Sequence, residues 1–468
     1  MSELMNAVIL AAGKGTRLKI ATPKPLCVCL GRTLVDYVIQ NIVDFSKASK
    51  LSLNLGVVVG HEKEKVSDSI KSSYSDLKLS FADQDKQLGT GHALKCYFDT
   101  YPNAWESKYT LIVCADTPLI TDDVYSRLQE ELEKKSLDAV VATFKVANPK
   151  GYGRILKSTS GAGLTIREEK DASDEERLIT EVNSAVYLMK TSYIKEHINN
   201  LDNKNKSGEF YLTDLMKEGE KLDSVLFDDA DSFLGVNDLV QLDEARGILQ
   251  TRINQTHMRN GVQIINSNSV YIEPDVKIGS NTVIYPHSHL EGNTVLGESV
   301  TIETGSVIKN SEISNEVTVK ANSYFEKAII KNSSVIGPMA RLREGTVIGE
   351  RCKIGNCVET KKVNVADEVK VSHLSYLGDA EVGQGTNIGC GFVTCNYDGA
   401  KKHLTKIGEN SFIGSDCQVI APITIGSETY IGSGSTINQN VPDGAFAIAR
   451  QRQVTKEKMA SRFLKTSK

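Results

Sequence analysis

Residues 272–308 read IEPDVKIGSNTVIYPHSHLEGNTVLGESVTIETGSVI, in which Ile272, Ile278, Ile284, Leu290, Leu296, Ile302 and Ile308 stand six residues apart without a break. Such a period is neither the 3.6 of a helix nor the 2 of a half-buried strand. It describes a coil of short strands, each turning one aliphatic side chain inward before a corner, so that three hexapeptides close one triangular turn. The pattern resumes at Ile330, Ile336, Leu342, Ile348 and Ile354, and again at Ile407, Ile413, Val419, Ile425, Ile431 and Ile437. At a strand spacing of roughly 4.8 Å, about ten coils make a prism roughly 45 Å long. The period fails at 309–329, 359–381 and 391–406, where loops leaving the prism are expected to carry function.

Upstream of Gly261 the pattern changes. From Asp238 to about Asn260, Leu239, Leu242, Ala245, Ile248, Leu249 and Ile253 recur at helical spacing with no proline, predicting one long helix between two domains. Before it, AVIL (7–10), LGVVVG (55–60), YTLIVCAD (109–116) and DAVVATF (138–144) alternate with amphipathic stretches. That alternation predicts a Rossmann-like α/β fold with a mostly parallel sheet. The expected organisation is an α/β domain over 1–237, a linker helix over 238–260, a β-helix over 261–449 and a basic tail over 450–468.

At 468 residues the chain exceeds one ordinary core, and its 40% apolar and 24% charged content is that of a soluble globular protein. A formal net charge of −4 gives no overall attraction to nucleic acid or anionic membrane, so small anionic ligands held at local sites are expected instead. The first apolar run ends at Gly13, Lys14 and Gly15, too soon for a signal peptide, and no segment approaches the roughly 20 apolar residues of a membrane span. The nine cysteines lack paired C-x-x-C spacing and read as reduced thiols. A cytoplasmic protein without nucleic-acid or membrane partners is expected.

LAAGKGTRL (10–18) follows a predicted strand, and its small residues let backbone N–H groups approach phosphate oxygens, with Lys14 and Arg17 adding charge. It is neither a Walker A loop nor GxGxxG, and taken alone it is also a plain tight connection. Pro23 and Pro25 stiffen the loop carrying Lys24. Gln84 with Leu88-Gly89-Thr90-Gly91 offers an amide and close backbone for reading a base edge. Asp116 ends a strand at the carboxyl edge where parallel sheets bind ligands, and a carboxylate there suits Mg²⁺; alone, it also reads as a cap or turn before Thr117-Pro118. In the repeat half, His373 falls on a break, within KVSHLSYLGDAEVG (370–383), and is a candidate general base with Glu359 as the carboxylate that could orient it. By itself such a histidine also reads as a packed or surface residue.

LAAGKGTRL, TPKPL (22–26), QLGTGHA (87–93), GYGRI (151–155), EEKDAS (168–173), EVNSA (181–185), GEFYLTD (208–214) and GVND (235–238) stand in order, followed by PMARLREG (338–345), VETKK (358–362), HLSYLGDAEVG (373–383), NIGCG (387–391) and TCNYDGAKKH (394–403). Together, over residues 5–452, they resemble the bacterial bifunctional N-acetylglucosamine-1-phosphate uridylyltransferase/glucosamine-1-phosphate acetyltransferases. The resemblance implies a left-handed β-helix and a homotrimer with sites between neighbouring prisms. It implies that Leu10, Ala11, Ala12 and Gly13 with Lys24, Gln84, Gly89 and Thr90 hold UTP, beside Cys114 and Ala115. Asp116 and Asn237 would bind Mg²⁺, Gly153, Glu168 and Asn183 the sugar phosphate, and Arg17 and Lys24 would neutralise phosphate charge during catalysis. In the β-helix it implies His373 as base and Arg343 and Lys361 as the phosphate grip. Tyr376, Asn387, Asn396 and Tyr397 would surround glucosamine-1-phosphate, the last two also bordering acetyl-CoA, which Cys390, Ser415, Ser433 and Arg450 would line.

The chain departs from the family pattern in Cys114-Ala115 before the metal aspartate, where glycine is usual, in Ser184-Ala185 where Thr-Gly is usual, and in Cys390 where alanine is usual. Two other readings compete: a monofunctional sugar nucleotidyltransferase with a β-helix scaffold, and a regulatory protein with a degenerate site. The scaffold reading predicts a plain prism without the His373 and Arg343/Lys361 features. The degenerate reading is opposed by Lys24, Asp116 and Asn237, each of a type the chemistry uses. The tail, with seven basic residues and one acid, reads as a solvated end or as a lure for coenzyme A phosphates.

Overall fold

The β-branched runs form strands whose alternate residues enter two different cores. The computed structural model describes residues 4–157, 163–217 and 221–464, and these divide into two units, Met1–Leu249 and Gln250–Lys468. In the first, β1 (Leu4–Leu10), β2 (Ser52–Val59), β3 (Leu79–Asp83), β4 (Tyr109–Cys114), β5 (Ala139–Lys145), β6 (Arg154–Lys157), β7 (Leu164–Arg167), β8 (Glu181–Lys190) and β9 (Leu222–Phe227) build one sheet. Its order is β9-β5-β8-β4-β1-β2-β3, with the β6–β7 hairpin attached through β8. Neighbours on this path are parallel except β8, which runs antiparallel to both β4 and β5.

Ala7, Ile9, Val57, Leu111 and Val113 point into a core shared with α1 (Leu34–Ser49), α2 (Lys63–Ser73) and α4 (Asp122–Lys134). Val8, Val58 and Ile112 point the other way, against α3 (Thr90–Thr100) and α5 (Thr191–His197). Burial on both faces is why these strands read as continuous apolar runs rather than as alternating ones. Helix α1 starts where Thr33 and Asp36 exchange side-chain and backbone hydrogen bonds at 3.2 and 3.1 Å, a reciprocal cap.

A long helix, α6, spans Leu239–Arg259, and the division between units falls within it. Its second half closes the first coil of the β-helix. Asn254, 1% exposed, donates to the Ser267 and Val270 carbonyls at 2.9 and 3.3 Å, and Gln250 bonds both the carbonyl and the N–H of Ile272. The end of a prism exposes unpaired strand groups, and these two amides satisfy some of them.

The second unit is a left-handed parallel β-helix of hexapeptide repeats. Each strand pairs with the one a coil later, as in Tyr271 with His289 and Val283 with Thr301. Eleven strands form one face, and seventeen the other two, which are joined because two strands, Glu359–Val365 and Tyr376–Val382, turn a corner. The column Ile272, Leu290, Ile308, Phe325 and Leu342 is fully buried along one face.

Two of the three expected interruptions do not leave the prism. Across 309–329 the inward positions are Ile313, Val319 and Phe325, and across 359–381 they are Thr360, Val365, Val371 and Leu377, all buried. The phase slips because some corners use one residue fewer, giving five-residue steps from Ile308 to Ile313 and from Thr360 to Val365. Thr360 and Thr394 face inward with their hydroxyls satisfied: Thr360 shares a 3.0 Å hydrogen bond with Thr346, and Thr394 donates to the Gly378 carbonyl at 3.1 Å. Only 391–406 contains a true excursion, between strands Val393–Cys395 and Thr405–Ile407. Past Arg450 the chain is exposed almost throughout, and residues 465–468 of the basic tail lie outside the described residues. No described helix is long and apolar enough to cross a membrane.

Candidate active sites

Strands β1, β2, β3 and β4 are mutually parallel, so the loops that follow them open on one edge of the sheet. There they enclose a cavity of about 320 Å³ lined by Leu10–Gly13, Lys24, Gln84, Gly89, Thr90 and Cys114–Asp116, together with Pro25, Gln87, Ala93 and Glu209. Gly89 has a φ of +112°, and a Cβ on it would lie 2.5 Å from the Phe210 carbonyl oxygen, so only glycine allows the loop to turn into α3 here. Gln87 donates to the Ala12 carbonyl and ties the two halves of the cavity mouth together.

Four charged and polar groups meet at this edge. Lys24 forms an ion pair with Asp116 Oδ2 and donates to Asn237 Oδ1 at 2.9 Å, while Arg17 donates to the same oxygen at 2.7 Å. Asn237 is brought there by the Val236 N–H bonding the Asp116 carbonyl at 2.9 Å. Among the described residues there is no group of three or more His, Cys, Asp or Glu side chains able to hold a metal. Asp116 Oδ2 and Asn237 Oδ1 nevertheless converge on one cationic centre, the Lys24 ammonium, and two protein oxygens completed by phosphate and water suit Mg²⁺. Cys114 is a half-buried thiol on the cavity wall, with desolvation first and the Asp116 charge second pushing it up to about 12, and so it remains neutral.

Beside the cavity, Asn183 donates its N–H to the Gly153 carbonyl at 2.9 Å and its amide to Tyr187 Oη at 2.6 Å. Between Asn183 and Tyr187 the ladder with β5 shifts register, and Ala185 adopts a φ of 62°. Glu168 accepts from the Thr213 hydroxyl at 3.0 Å; burial raises its carboxyl above the ordinary range, with Asp214, Asp171 and Glu209 adding to the effect.

In the β-helix, Arg343 donates to Glu359 Oε1 at 2.9 Å from the neighbouring coil. Glu359 Oε1 is thus taken up by Arg343, and no hydrogen bond joins Glu359 to His373 among the described residues. His373 ends strand Lys370–His373 on the eleven-stranded face, exposed, and its side chain makes no hydrogen bond or ion pair among the described residues. Glu359 and Tyr376 are in register on the next face. The Lys361 ammonium is lowered by neighbouring cations, Lys402 first and then Arg343. Lys402 comes from the excursion, whose Tyr397 and Lys402 bridge as a small hairpin around an Asp398–His403 pair at 2.6 Å. Asn396, 7% exposed, donates to Asp379 Oδ2 at 2.5 Å. Gly378 makes room for this group, since a Cβ there would lie 2.4 Å from Tyr376 Oη.

Cys390, Ser415 and Ser433 follow successive strands of the eleven-stranded face, stacked at one corner by backbone bonds such as Asp416 N–H to the Cys390 carbonyl at 2.7 Å and Gly434 N–H to the Ser415 carbonyl at 2.8 Å. Asn387 lies on the same face, and Arg450 follows its last strand. The structure therefore gathers Arg343, Glu359, Lys361 and Lys402 into one group but leaves the Cys390–Arg450 column on another face of the same chain. Lys402 was legible in the doubled lysine of TCNYDGAKKH, yet only the folded hairpin brings it to Lys361.

Residues 7–176 match the MobA-like NTP transferase domain, residues 265–373 the GMPPB C-terminal domain, and residues 404–439 the bacterial transferase hexapeptide (six repeats). The chain is 44% identical over 457 residues to the bifunctional protein GlmU of Geotalea uraniireducens, covering 97% of this chain and 98% of that one. The chain belongs to the bifunctional GlmU family. GlmU proteins of Clostridioides difficile and Staphylococcus epidermidis are 42% and 41% identical over 456 residues each, covering 97% of this chain and 96% and 98% of theirs. As a GlmU-family member the chain is a bifunctional transferase, a uridylyltransferase joined to an acetyltransferase, with UTP and acetyl-CoA as co-substrates. A nucleotidyltransferase carrying an inert scaffold is not favoured, because GlmU relatives align along nearly the whole chain.

Proposed function

We propose that the N-terminal cavity binds UTP and N-acetylglucosamine-1-phosphate and that the β-helix acetylates glucosamine-1-phosphate. The observation that carries the first half is the convergence of Lys24, Arg17, Asp116 and Asn237 at the mouth of a cavity walled by the 10–13 backbone. The sugar phosphate, held by Gly153, Glu168 and Asn183, places an already ionised oxygen in line with the α-phosphorus of UTP. A new P–O bond forms, the bond to the β-phosphate oxygen breaks, and pyrophosphate leaves. No general base is needed, so Lys24 and Arg17 act by position and charge. Asp116 and Asn237 would hold Mg²⁺, which supplies further charge neutralisation on the phosphates.

In the β-helix, Arg343, Lys361 and Lys402 grip the sugar phosphate, while Tyr376, Asn387, Asn396 and Tyr397 surround the amino sugar. His373 takes the amine proton as the nitrogen attacks the thioester carbonyl, and the C–S bond breaks to release coenzyme A. Cys390, Ser415, Ser433 and Arg450 line the acetyl-CoA groove. Their position on a different face from Arg343 and Lys361 supports a homotrimer in which neighbouring chains complete each site, as does the presence of hexapeptide repeats. Nine free cysteines support a reducing, cytoplasmic setting. The proposed boundaries remain 1–237, 238–260, 261–449 and 450–468.

The test combines glucosamine-1-phosphate, acetyl-CoA, UTP and Mg²⁺, then omits each. UDP-N-acetylglucosamine forms only with all four. Asp116→Ala, or chelation of the metal, stops the reaction at N-acetylglucosamine-1-phosphate. His373→Ala loses acetyl transfer by roughly 10²–10⁴-fold while still converting supplied N-acetylglucosamine-1-phosphate. Mixing the two variants restores the pathway; loss of both activities in both folded variants contradicts two separate sites.

A further inference from the structure

The side chain of Gln84 is 4% exposed and lines the cavity just past β3. Its Nε2 lies 2.9 Å from the Gly89 carbonyl oxygen and 3.1 Å from His92 Nδ1. A carbonyl oxygen only accepts, so the NH₂ end of the amide must face it. That NH₂ carries two hydrogens, and the second is directed at His92 Nδ1, which accepts when the ring proton is on Nε2. Both donors are then committed and Oε1 alone is left, with no partner among the described residues. The backbone N–H of Gly89 likewise donates to no other group among the described residues.

His92 stands in the first turn of α3, with Phe210 against its ring at 6.4 Å and Cys96 Sγ 3.7 Å from Nδ1. The arrangement offers a base an acceptor, Gln84 Oε1, and a donor, Gly89 N–H. Uracil matches it with the N3–H and a ring carbonyl. Cytosine presents the reverse, a bare N3 and an amino group. An amide rotated by half a turn would reverse the preference, and what opposes that rotation is the pair of acceptors at Gly89 and His92. We propose that His92 is a positioning residue that sets pyrimidine selectivity by locking the Gln84 amide. It rests on reading this cavity as the UTP site.

The experiment measures kcat/KM for UTP and for CTP with N-acetylglucosamine-1-phosphate in the full-length chain. His92→Phe keeps a ring but removes the acceptor, whereas His92→Asn places an amide oxygen near the position of Nδ1. The expected result is a UTP:CTP ratio lowered roughly tenfold or more in His92→Phe, as befits one lost or mismatched hydrogen bond, and restored to within about threefold in His92→Asn. If His92→Phe does not fold, His92→Gln, whose longer side chain displaces the acceptor, replaces it. Equal losses for both nucleotides, with the ratio unchanged, overturn the assignment. Gln84→Ala separates the two layers: if it lowers the ratio and His92→Phe does not, only the role of His92 fails. If Gln84→Ala also leaves the ratio untouched, the base-reading of this cavity fails with it.

Discussion

The Arg343 guanidinium and the Glu359 carboxylate meet at 2.9 Å across adjacent coils, both about one-third exposed. The pair links Glu359 to the proposed phosphate grip of the acetyl site. Glu359→Gln should therefore change KM for glucosamine-1-phosphate by roughly three- to tenfold, with a smaller effect on kcat. His373→Ala should do the opposite. Steady-state kinetics on both variants decide the matter, and a kcat loss in Glu359→Gln as deep as that of His373→Ala would restore Glu359 as the orienting group.

Lys361, Lys402 and Arg343 repel one another, and the lowered Lys361 ammonium records it. A depressed lysine pKa means that the charged form is disfavoured in the fold, and a bound phosphate dianion relieves this. Lys402→Met should raise KM for glucosamine-1-phosphate about tenfold, the scale of one charged hydrogen bond. Inorganic phosphate should raise the melting temperature of the native chain more than that of the variant, read by thermal shift at fixed ionic strength. Identical shifts would show that Lys402 does not touch the anion.

Glu168 carries a carboxyl raised chiefly by burial. Because the folded value lies above the unfolded one, its contribution to stability is fully present below the ordinary glutamate pKa and is lost as pH rises through the raised value. Glu168→Gln should thus melt higher than the native chain at neutral pH, with the gap closing in acid. The same titration removes a charged acceptor from the proposed sugar site, so KM for N-acetylglucosamine-1-phosphate should rise on acidification at a pH above the usual carboxylate range. A flat profile would remove Glu168 from sugar recognition.

Ala185 holds a φ of 62° inside the shifted stretch of β8. An alanine in this region is strained by about 1–2 kcal/mol, and glycine gives part of that back in chain entropy. Ala185→Gly should stabilise the N-terminal unit by roughly 0.5–1 kcal/mol, seen as a melting transition about 2 °C higher. Destabilisation would mean that the methyl group packs more usefully than its backbone position suggests.

By itself, the sequence determined the two architectures, the long helix, and the Gly-rich and Asp-ending loops at one sheet edge, because periodicity and turn chemistry are properties of neighbouring residues. The hexad of Ile272 to Ile308 needs no distant contact to be read. Tertiary structure alone decided that Thr360 and Thr394 also face inward, since burying a hydroxyl costs least when a particular partner stands within reach. It decided that Glu359 meets Arg343, that Lys402 reaches Lys361, and that the Gln84 amide nitrogen meets the Gly89 carbonyl and His92. Each of these depends on which groups the coils and loops bring within about 3 Å, the range over which hydrogen bonds and ion pairs act, and residues far apart in the chain carry no local signal of that meeting.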